Sequence, residues 1–247
     1  YMRIKICLAF VLCVSQSASW AQSYIDWTLE LATSFSQSEE SIVVDGKSAS
    51  FRTGGAGLKI NADTASLGSL YIVAGGGYLP KQSASFAGVV LTGPADSLFY
   101  GVGYDYQFPI SDRLSLVMAA DYVSYDISGD LKGEAFAMPV VASIDSTVAM
   151  TDISLGVRYA LSPSLSAVLG GGVKHWSLKA EADGLIGDSL TASTSVDASN
   201  TDSQFYAGIE FTVSDVPVDV YYRRSTLNAD NSVTLNGLEI HILLMEF

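Results

Sequence analysis

The sequence has only two cysteines, Cys7 and Cys13, both within its first 21 residues. The remainder of the chain therefore has no disulfide framework, no thiolate metal centre and no cysteine nucleophile. Histidine is as scarce: His175 and His241 lie far apart and on different segments, which leaves little material for imidazole chemistry. Basic residues number 13 against 26 acidic ones, a net charge of −13, and that deficit excludes nucleic acid as a partner because phosphates would be repelled. No apolar run approaches the roughly 20 residues that a membrane-spanning helix needs. Helical periodicity is almost absent, and there is no fixed-period repeat, domain linker or low-complexity tract.

The opening residues do carry a pattern. Met2, Arg3 and Lys5 form a basic start, residues 6–14 (ICLAFVLCV) a short apolar run, and Ser19-Trp20-Ala21 a small-residue cleavage site. Residues 1–21 are therefore expected to be a removable signal peptide, with one mature domain over residues 22–247. Its removal would take both cysteines and two basic residues, leaving 11 basic residues against 26 acidic ones, a net charge of −15.

What fills the rest of the chain is alternation. Leu98, Tyr100, Val102, Tyr104, Tyr106 and Phe108 alternate with Gly101, Gly103, Asp105 and Gln107. Ile153, Leu155, Val157, Tyr159 and Leu161 oppose Asp152, Ser154, Gly156 and Arg158, and Phe205, Ala207, Ile209 and Phe211 oppose Gln204, Tyr206, Gly208 and Glu210. Ten such segments can be traced, each in the period of a strand with one apolar and one polar face. When the phase is chosen from the apolar residues alone, the charges fall on the other face in nearly every segment. The hydrophobic content of 49% without a long apolar run fits a barrel with an apolar exterior and a polar interior. Connections alternate short and long. Short turns are expected near Asn61-Ala62-Asp63, 109–112, Ser162-Pro163-Ser164 and 214–217, and long loops over 36–50, 80–96, 127–146 and 179–202, with a brief fifth at 228–231. Within the first long loop Val43-Val44-Asp45-Gly46 signals a hairpin. Residues 180–203, rich in Ser, Thr, Ala and Asp, are expected to be mobile.

The last segment, VTLNGLEIHILLMEF, alternates Leu238, Ile240 and Ile242 with Glu239 and His241 and ends on Phe247. A terminal strand closing on phenylalanine resembles the assembly signal of bacterial outer-membrane β-barrel proteins, although strict alternation to Phe247 requires a bulge near Leu243 and Leu244. The resemblance implies an all-β, antiparallel, up-and-down transmembrane barrel of ten strands, with eight as the alternative, in the outer membrane. It implies short periplasmic turns and long extracellular loops, and as partners outer-membrane lipid, lipopolysaccharide and, through Phe247, the barrel-assembly machinery.

On that architecture the polar face is the lumen. The residues expected to line it are Asp26, Glu30, Lys59, Asp105, Asp121, Asp152, Arg158, Lys174, Glu210, Asp219, Arg223, Glu239 and His241. They could set the selectivity of a small porin-like channel for ions or small polar solutes, or pair into a plug. In the second case the barrel is a closed scaffold whose acidic loops serve adhesion, host interaction or divalent bridging of lipopolysaccharide. Neither reading calls for a cofactor, a catalytic residue or a metal, and the chain is expected to be a monomer. His241 beside Glu239 reads as a lumenal polar cluster, and His175 with Trp176 as an interface anchor. Asp183, Asp188, Asp197 and Asp202 read as a solvated acidic loop, lacking the spacing of a calcium loop. Gly75-Gly76-Gly77 and Gly170-Gly171-Gly172 lie inside strands, where they permit curvature or close backbone approach.

Overall fold

The computed structural model describes residues 25–247 except 39, 45, 51, 65–67, 87, 88, 136 and 187–189. The expected signal peptide lies outside the described residues. Among the described residues twelve strands follow in order: β1 (Asp26–Ser38), β2 (Ile42–Val44), β3 (Lys47–Ala49), β4 (Arg52–Thr64), β5 (Gly68–Phe86), β6 (Val89–Pro109), β7 (Leu114–Ala135), β8 (Met138–Ser162), β9 (Leu165–Ile186), β10 (Leu190–Val213), β11 (Val216–Asn228) and β12 (Ser232–Glu246). All pairings are antiparallel. β1 pairs with both β4 and β12, and the β5–β6 pairing completes a ring of ten long strands. The short β2–β3 pair is the hairpin expected at Val43-Val44-Asp45-Gly46, attached to the rim through β5.

At the seam between first and last strands the register shifts: Leu29 faces Met245 and Glu30 faces Leu243, so Leu244 is the extra residue. This is the bulge that the sequence of the last strand demands. Beyond it Trp27 and Phe247 exchange backbone hydrogen bonds of 3.0 and 3.2 Å.

The outward faces follow the apolar phase. Leu58, Leu70, Ile72, Leu98, Tyr100, Val102, Met118, Ile153, Leu155, Val157, Leu169, Phe205, Ile209, Tyr222 and Leu238 are all exposed on the barrel's exterior. On β8 the belt runs from Ile153 to Leu161, nine positions, which matches the roughly 9–11 residues that a tilted strand needs to cross a bilayer. A closed antiparallel barrel wrapped in such a belt spans a membrane with every strand edge paired, the architecture of bacterial outer-membrane proteins.

Three sequence expectations are corrected. The first short turn is not at Asn61, Ala62 and Asp63, since β4 continues through them in register with Tyr71, Leu70 and Ser69. The described residues of the segments 80–96, 127–146 and 179–202 do not form open loops; they are continuations of β5–β6, β7–β8 and β9–β10, which makes β8 a strand of 25 residues. Within 180–203, residues 180–186 belong to β9 and 190–203 to β10, and the two pair with each other rather than forming a mobile loop. The wall is tall from β5 to β10 and low from β11 through β12 and β1 to β4.

Above the belt the two faces exchange character. Outward positions become polar, with Asp145 and Thr147 on β8, Lys179, Glu181 and Asp183 on β9, and Ser193, Asp197 and Thr201 on β10 exposed. Inward positions become apolar. Ile127, Val148, Met150, Trp176, Leu178, Leu227, Val233 and Leu235 form one buried cluster, and Ala84, Leu91, Leu131, Ala135, Val140 and Ala142 another nearer the hairpin ends. The cause is the solvent: lipid rewards apolar side chains outside the barrel, whereas water above the membrane rewards them inside.

Candidate functional site

The lumen divides into two compartments. The one toward the short turns is a polar cavity of about 510 Å³ whose wall includes Lys59, Asp63, Asp105, Asp121, Glu210, Asp219, Arg223, Glu239 and His241 with Tyr71, Tyr206 and Tyr221. Strand pleating puts these residues there: each occupies the inward phase of a strand whose outward phase carries the belt.

Lys59, Arg158, Lys174 and Arg223 each have an acidic partner. Lys59 Nζ lies 3.4 Å from Glu30 and 4.0 Å from Asp105, and 4.3 Å above the Tyr71 ring. Asn61 Nδ2 donates to Glu30 Oε1 at 2.8 Å. Lys174 Nζ is 3.2 Å from Asp152, and both are buried. Arg158 pairs with Glu210, whose other oxygen accepts the Tyr221 hydroxyl at 2.7 Å. Arg223 Nε donates to Glu239 at 2.8 Å, with the guanidinium 5.4 Å from the Tyr206 ring. These pairs bind β1 to β4, β8 to β9, β8 to β10 and β11 to β12 across the lumen wall. Among the described residues no basic side chain lies within 4.0 Å of Asp121 or Asp219, so the chamber keeps an acidic excess.

Of the thirteen residues expected in the lumen, Lys59, Asp105, Asp121, Glu210, Asp219, Arg223, Glu239 and His241 line this cavity, Glu30 and Arg158 join it through their ion pairs with Lys59 and Glu210, and Asp152 and Lys174 are buried as a pair. Asp26 does not join the network: it is exposed at the short-turn rim, opposite Asp63. His241 lies on the cavity wall 6.3 Å from the Tyr221 ring, while the Glu239 carboxylate is held by Arg223. The rings of three inward tyrosines pack against inward glycines of neighbouring strands. A Cβ on Gly103 would stand 2.2 Å from the Tyr71 ring, one on Gly170 2.4 Å from Tyr206, and one on Gly208 2.2 Å from Tyr221. Glycine is required there by the close approach of an aromatic ring, a device that stiffens curved sheets.

The second compartment closes the first. Phe99 and Tyr125 stack at 5.6 Å across β6 and β7, and above them sits Trp176, 0% exposed. The interface-anchor reading of Trp176 is thus corrected: it shares the inward phase of Lys174, and its indole Nε1 donates to Asp202 Oδ2 at 2.8 Å. Asp202 is corrected with it. Rather than a solvated loop acid it is a buried acceptor, which also takes the backbone and side-chain amides of Asn228. His175 points outward and meets Thr201 Oγ1 at 2.9 Å. Asp183 and Asp197 face outward on the β9–β10 hairpin, Asp188 lies outside the described residues, and among the described residues no group of three or more His, Cys, Asp or Glu could hold a metal ion.

The β2–β3 hairpin lies over this apolar layer. Ile42 is buried in it, Val43 N donates to Asn231 Oδ1 at 2.8 Å, the Asp230 amide donates to Val43 O at 3.1 Å, and Lys47 Nζ reaches Ser195 O at 2.6 Å. Polar chamber, apolar septum and covering hairpin follow one another from the short-turn end outward.

No family model matches the chain, and no curated protein matches its sequence. Its structure is similar to the translocator domain of the autotransporter NalP from Neisseria meningitidis, at 14% identity over 98% of this chain and 96% of that one with a TM-score of 0.48. It is similar also to the outer membrane protease OmpT from Escherichia coli, at 10% identity over 90% and 95% with a TM-score of 0.47. A third is Ail, the attachment invasion locus protein of Yersinia pestis, at 12% identity over 91% and 99% with a TM-score of 0.40. Likeness at these identities assigns no activity to this chain.

Proposed function

We propose that this chain is a closed, non-conducting barrel of the bacterial outer membrane whose tall extension above the bilayer is its working surface. The observation that supports this most is the septum of Phe99, Tyr125, Met150, Trp176, Leu178, Leu227 and Leu235, which separates the polar chamber from the outside. A small-channel reading needs a continuous polar route, and an apolar layer, with a mainly apolar cavity of about 90 Å³ between it and the hairpin, interrupts that route. The lumenal ion pairs then serve to hold the wall together rather than to select ions. On this reading lipopolysaccharide surrounds the belt, and the assembly machinery engages the β12 end, where Phe247 projects exposed.

Single-channel recording of the folded chain in a planar bilayer tests the reading, with folding verified by heat-dependent gel mobility. A folded, silent barrel is the expected result. Discrete, reproducible steps with cation preference would overturn it and return the function to the lumenal carboxylates.

A further inference from the structure

Under the β2–β3 hairpin the extension is not filled. A cavity of about 90 Å³ lies between that hairpin and the two apolar clusters, with Ile42, Ile127, Leu131, Ile144, Val148 and Leu178 in its wall. The space exists because inward side chains shrink at this level. Along β9 the inward phase runs Lys174, Trp176, Leu178 and then Ala180 and Ala182, and on β8 Ser146 stands between Ile144 and Val148. The hairpin spans the cavity, paired to β5 through Ala49 and Ala84 and tied to β10 by Lys47 Nζ, which donates to Ser195 O at 2.6 Å. Two lining residues are cationic, Lys47 and Arg52, and Arg52 Nη1 donates to Lys81 O at 2.8 Å. Both bonds are exposed, which puts the two charges at the cavity's margin. Each bond uses one N–H of a head that has three on lysine and five on arginine, and no described acidic side chain lies within 4.0 Å of either. Glu181, the one acid among the described lining residues, is exposed on the outward phase of β9 with Lys179 and Asp183.

We infer that this cavity binds a short unbranched aliphatic carboxylate, its chain among Ile127, Ile144, Val148 and Leu178 and its carboxylate at the cationic margin where Lys47 and Arg52 stand. The inference rests on the reading of the extension as the working surface and gives that surface a ligand. Size and charge choose the occupant. An apolar cavity of about 150 Å³ takes up benzene, and one of about 90 Å³ holds a shorter run of carbon atoms. A wholly apolar ligand would make no use of the two cations, and an inorganic anion would make no use of the apolar wall; a single-chain amphiphile uses both. A carboxylate accepts several N–H donors at once, and charged donors bind it more strongly than neutral ones. The margin also stands apart from the rest of the chain, where acids outnumber bases by 26 to 13 and an anion is generally repelled.

The test is saturation-transfer NMR of hexanoate with the full chain folded into nanodiscs, with empty nanodiscs as the blank and heat-dependent gel mobility as the check of folding. Transfer to the hexanoate chain above the blank is expected. Butanoate, two methylenes shorter, should bind about fifteenfold more weakly, because each buried methylene changes affinity about fourfold. Ala180→Leu fills the cavity and should weaken hexanoate by about tenfold or more, with Ser146→Leu as a second filling variant where the first does not fold. Lys47→Gln together with Arg52→Gln should weaken hexanoate by about tenfold and leave hexan-1-ol within about twofold. No transfer above the blank, butanoate equal to hexanoate, a folded filling variant that binds as the unmodified chain does, or equal loss of hexan-1-ol and hexanoate in the charge variant would each overturn the proposal. A barrel that conducts fails the closed-barrel reading whatever hexanoate does, and a silent barrel that ignores hexanoate fails only the cavity.

Discussion

Truncation of Trp176 probes the septum most sharply. The indole is wholly buried among Met150, Leu178, Leu227 and Leu235, and its N–H is bonded to a buried carboxylate. Loss of a packed tryptophan to alanine costs about 3–5 kcal/mol. Loss of the hydrogen bond to Asp202 is a separate contribution of about 1–3 kcal/mol, at the lower end because Asn228 still donates to that carboxylate. Trp176→Phe isolates the second contribution, since it keeps most of the apolar volume and discards the donor. Urea unfolding in lipid vesicles, followed by circular dichroism and gel mobility, should therefore rank the proteins as unmodified, then Trp176→Phe lower by about 1–2 kcal/mol, then Trp176→Ala lower by about 4 kcal/mol. Trp176→Ala also thins the layer above the polar chamber, so brief openings are expected in bilayer recordings with alanine and not with phenylalanine. A folded Trp176→Ala protein that unfolds at the urea concentration of the unmodified chain and stays silent would refute the packed septum.

Three further perturbations address other parts of the wall. Lys174→Met strands the buried Asp152 carboxylate and should cost about 3–5 kcal/mol, while Lys174→Met with Asp152→Leu should recover most of it; equal losses in both, by the same urea assay, would show that the pair is not coupled. Gly103→Ala forces its methyl into the Tyr71 ring and should cost about 1–3 kcal/mol, with Tyr71→Ala in the same chain relieving the clash and no relief contradicting the stacked geometry. Leu155→Arg places a charge in the middle of the belt and should cost about 2–4 kcal/mol, whereas Asp145→Arg, ten residues along the same face, should change stability by less than about 0.5 kcal/mol. Similar costs at both positions would mean that the membrane boundary on β8 is misplaced.

Much of the barrel is legible in the residues because the belt and the lumen impose opposite chemistry on alternate positions. Leu155 and Arg158 on β8, or Ile209 and Glu210 on β10, declare their sides without any structure. The bulge at Leu244 is legible for the same reason, as a break in that alternation. The extension is harder to read because the exchange of faces keeps the period and reverses its sign. Ala180, Ala182, Val196 and Ala198 point inward there, and alanine among Ser, Thr and Asp looks like loop composition rather than the inner face of a strand. The signal was nevertheless present: Glu181 and Asp183 alternate with Ala180 and Ala182. Trp176 and Asp202 were hidden differently. Each shares the inward phase of a lumenal neighbour, Lys174 and Gln204 respectively, and following that phase past the belt would have placed both inside. Asp26 shows the reverse case, an inward phase at a rim where the lumen has already ended. What alternation cannot reveal is which inward residues meet across the barrel, so the Phe99 and Tyr125 stack and the Trp176 bond to Asp202 emerge only from the closed ring.

The two faces of the wall exchange character at one level, polar chamber below and apolar septum above. Single-cysteine spin labels placed one at a time from residue 141 to 161 on β8 probe that exchange position by position. This scan suits the chain, whose own cysteines both fall in its first 21 residues. Oxygen-accessible labels are expected at positions 153, 155, 157, 159 and 161, labels accessible to a water-soluble paramagnetic complex at 143, 145, 147 and 151, and protection from both reagents at 148 and 150. Access of the water-soluble complex at 148 and 150 would mean an aqueous route through the barrel and no apolar septum.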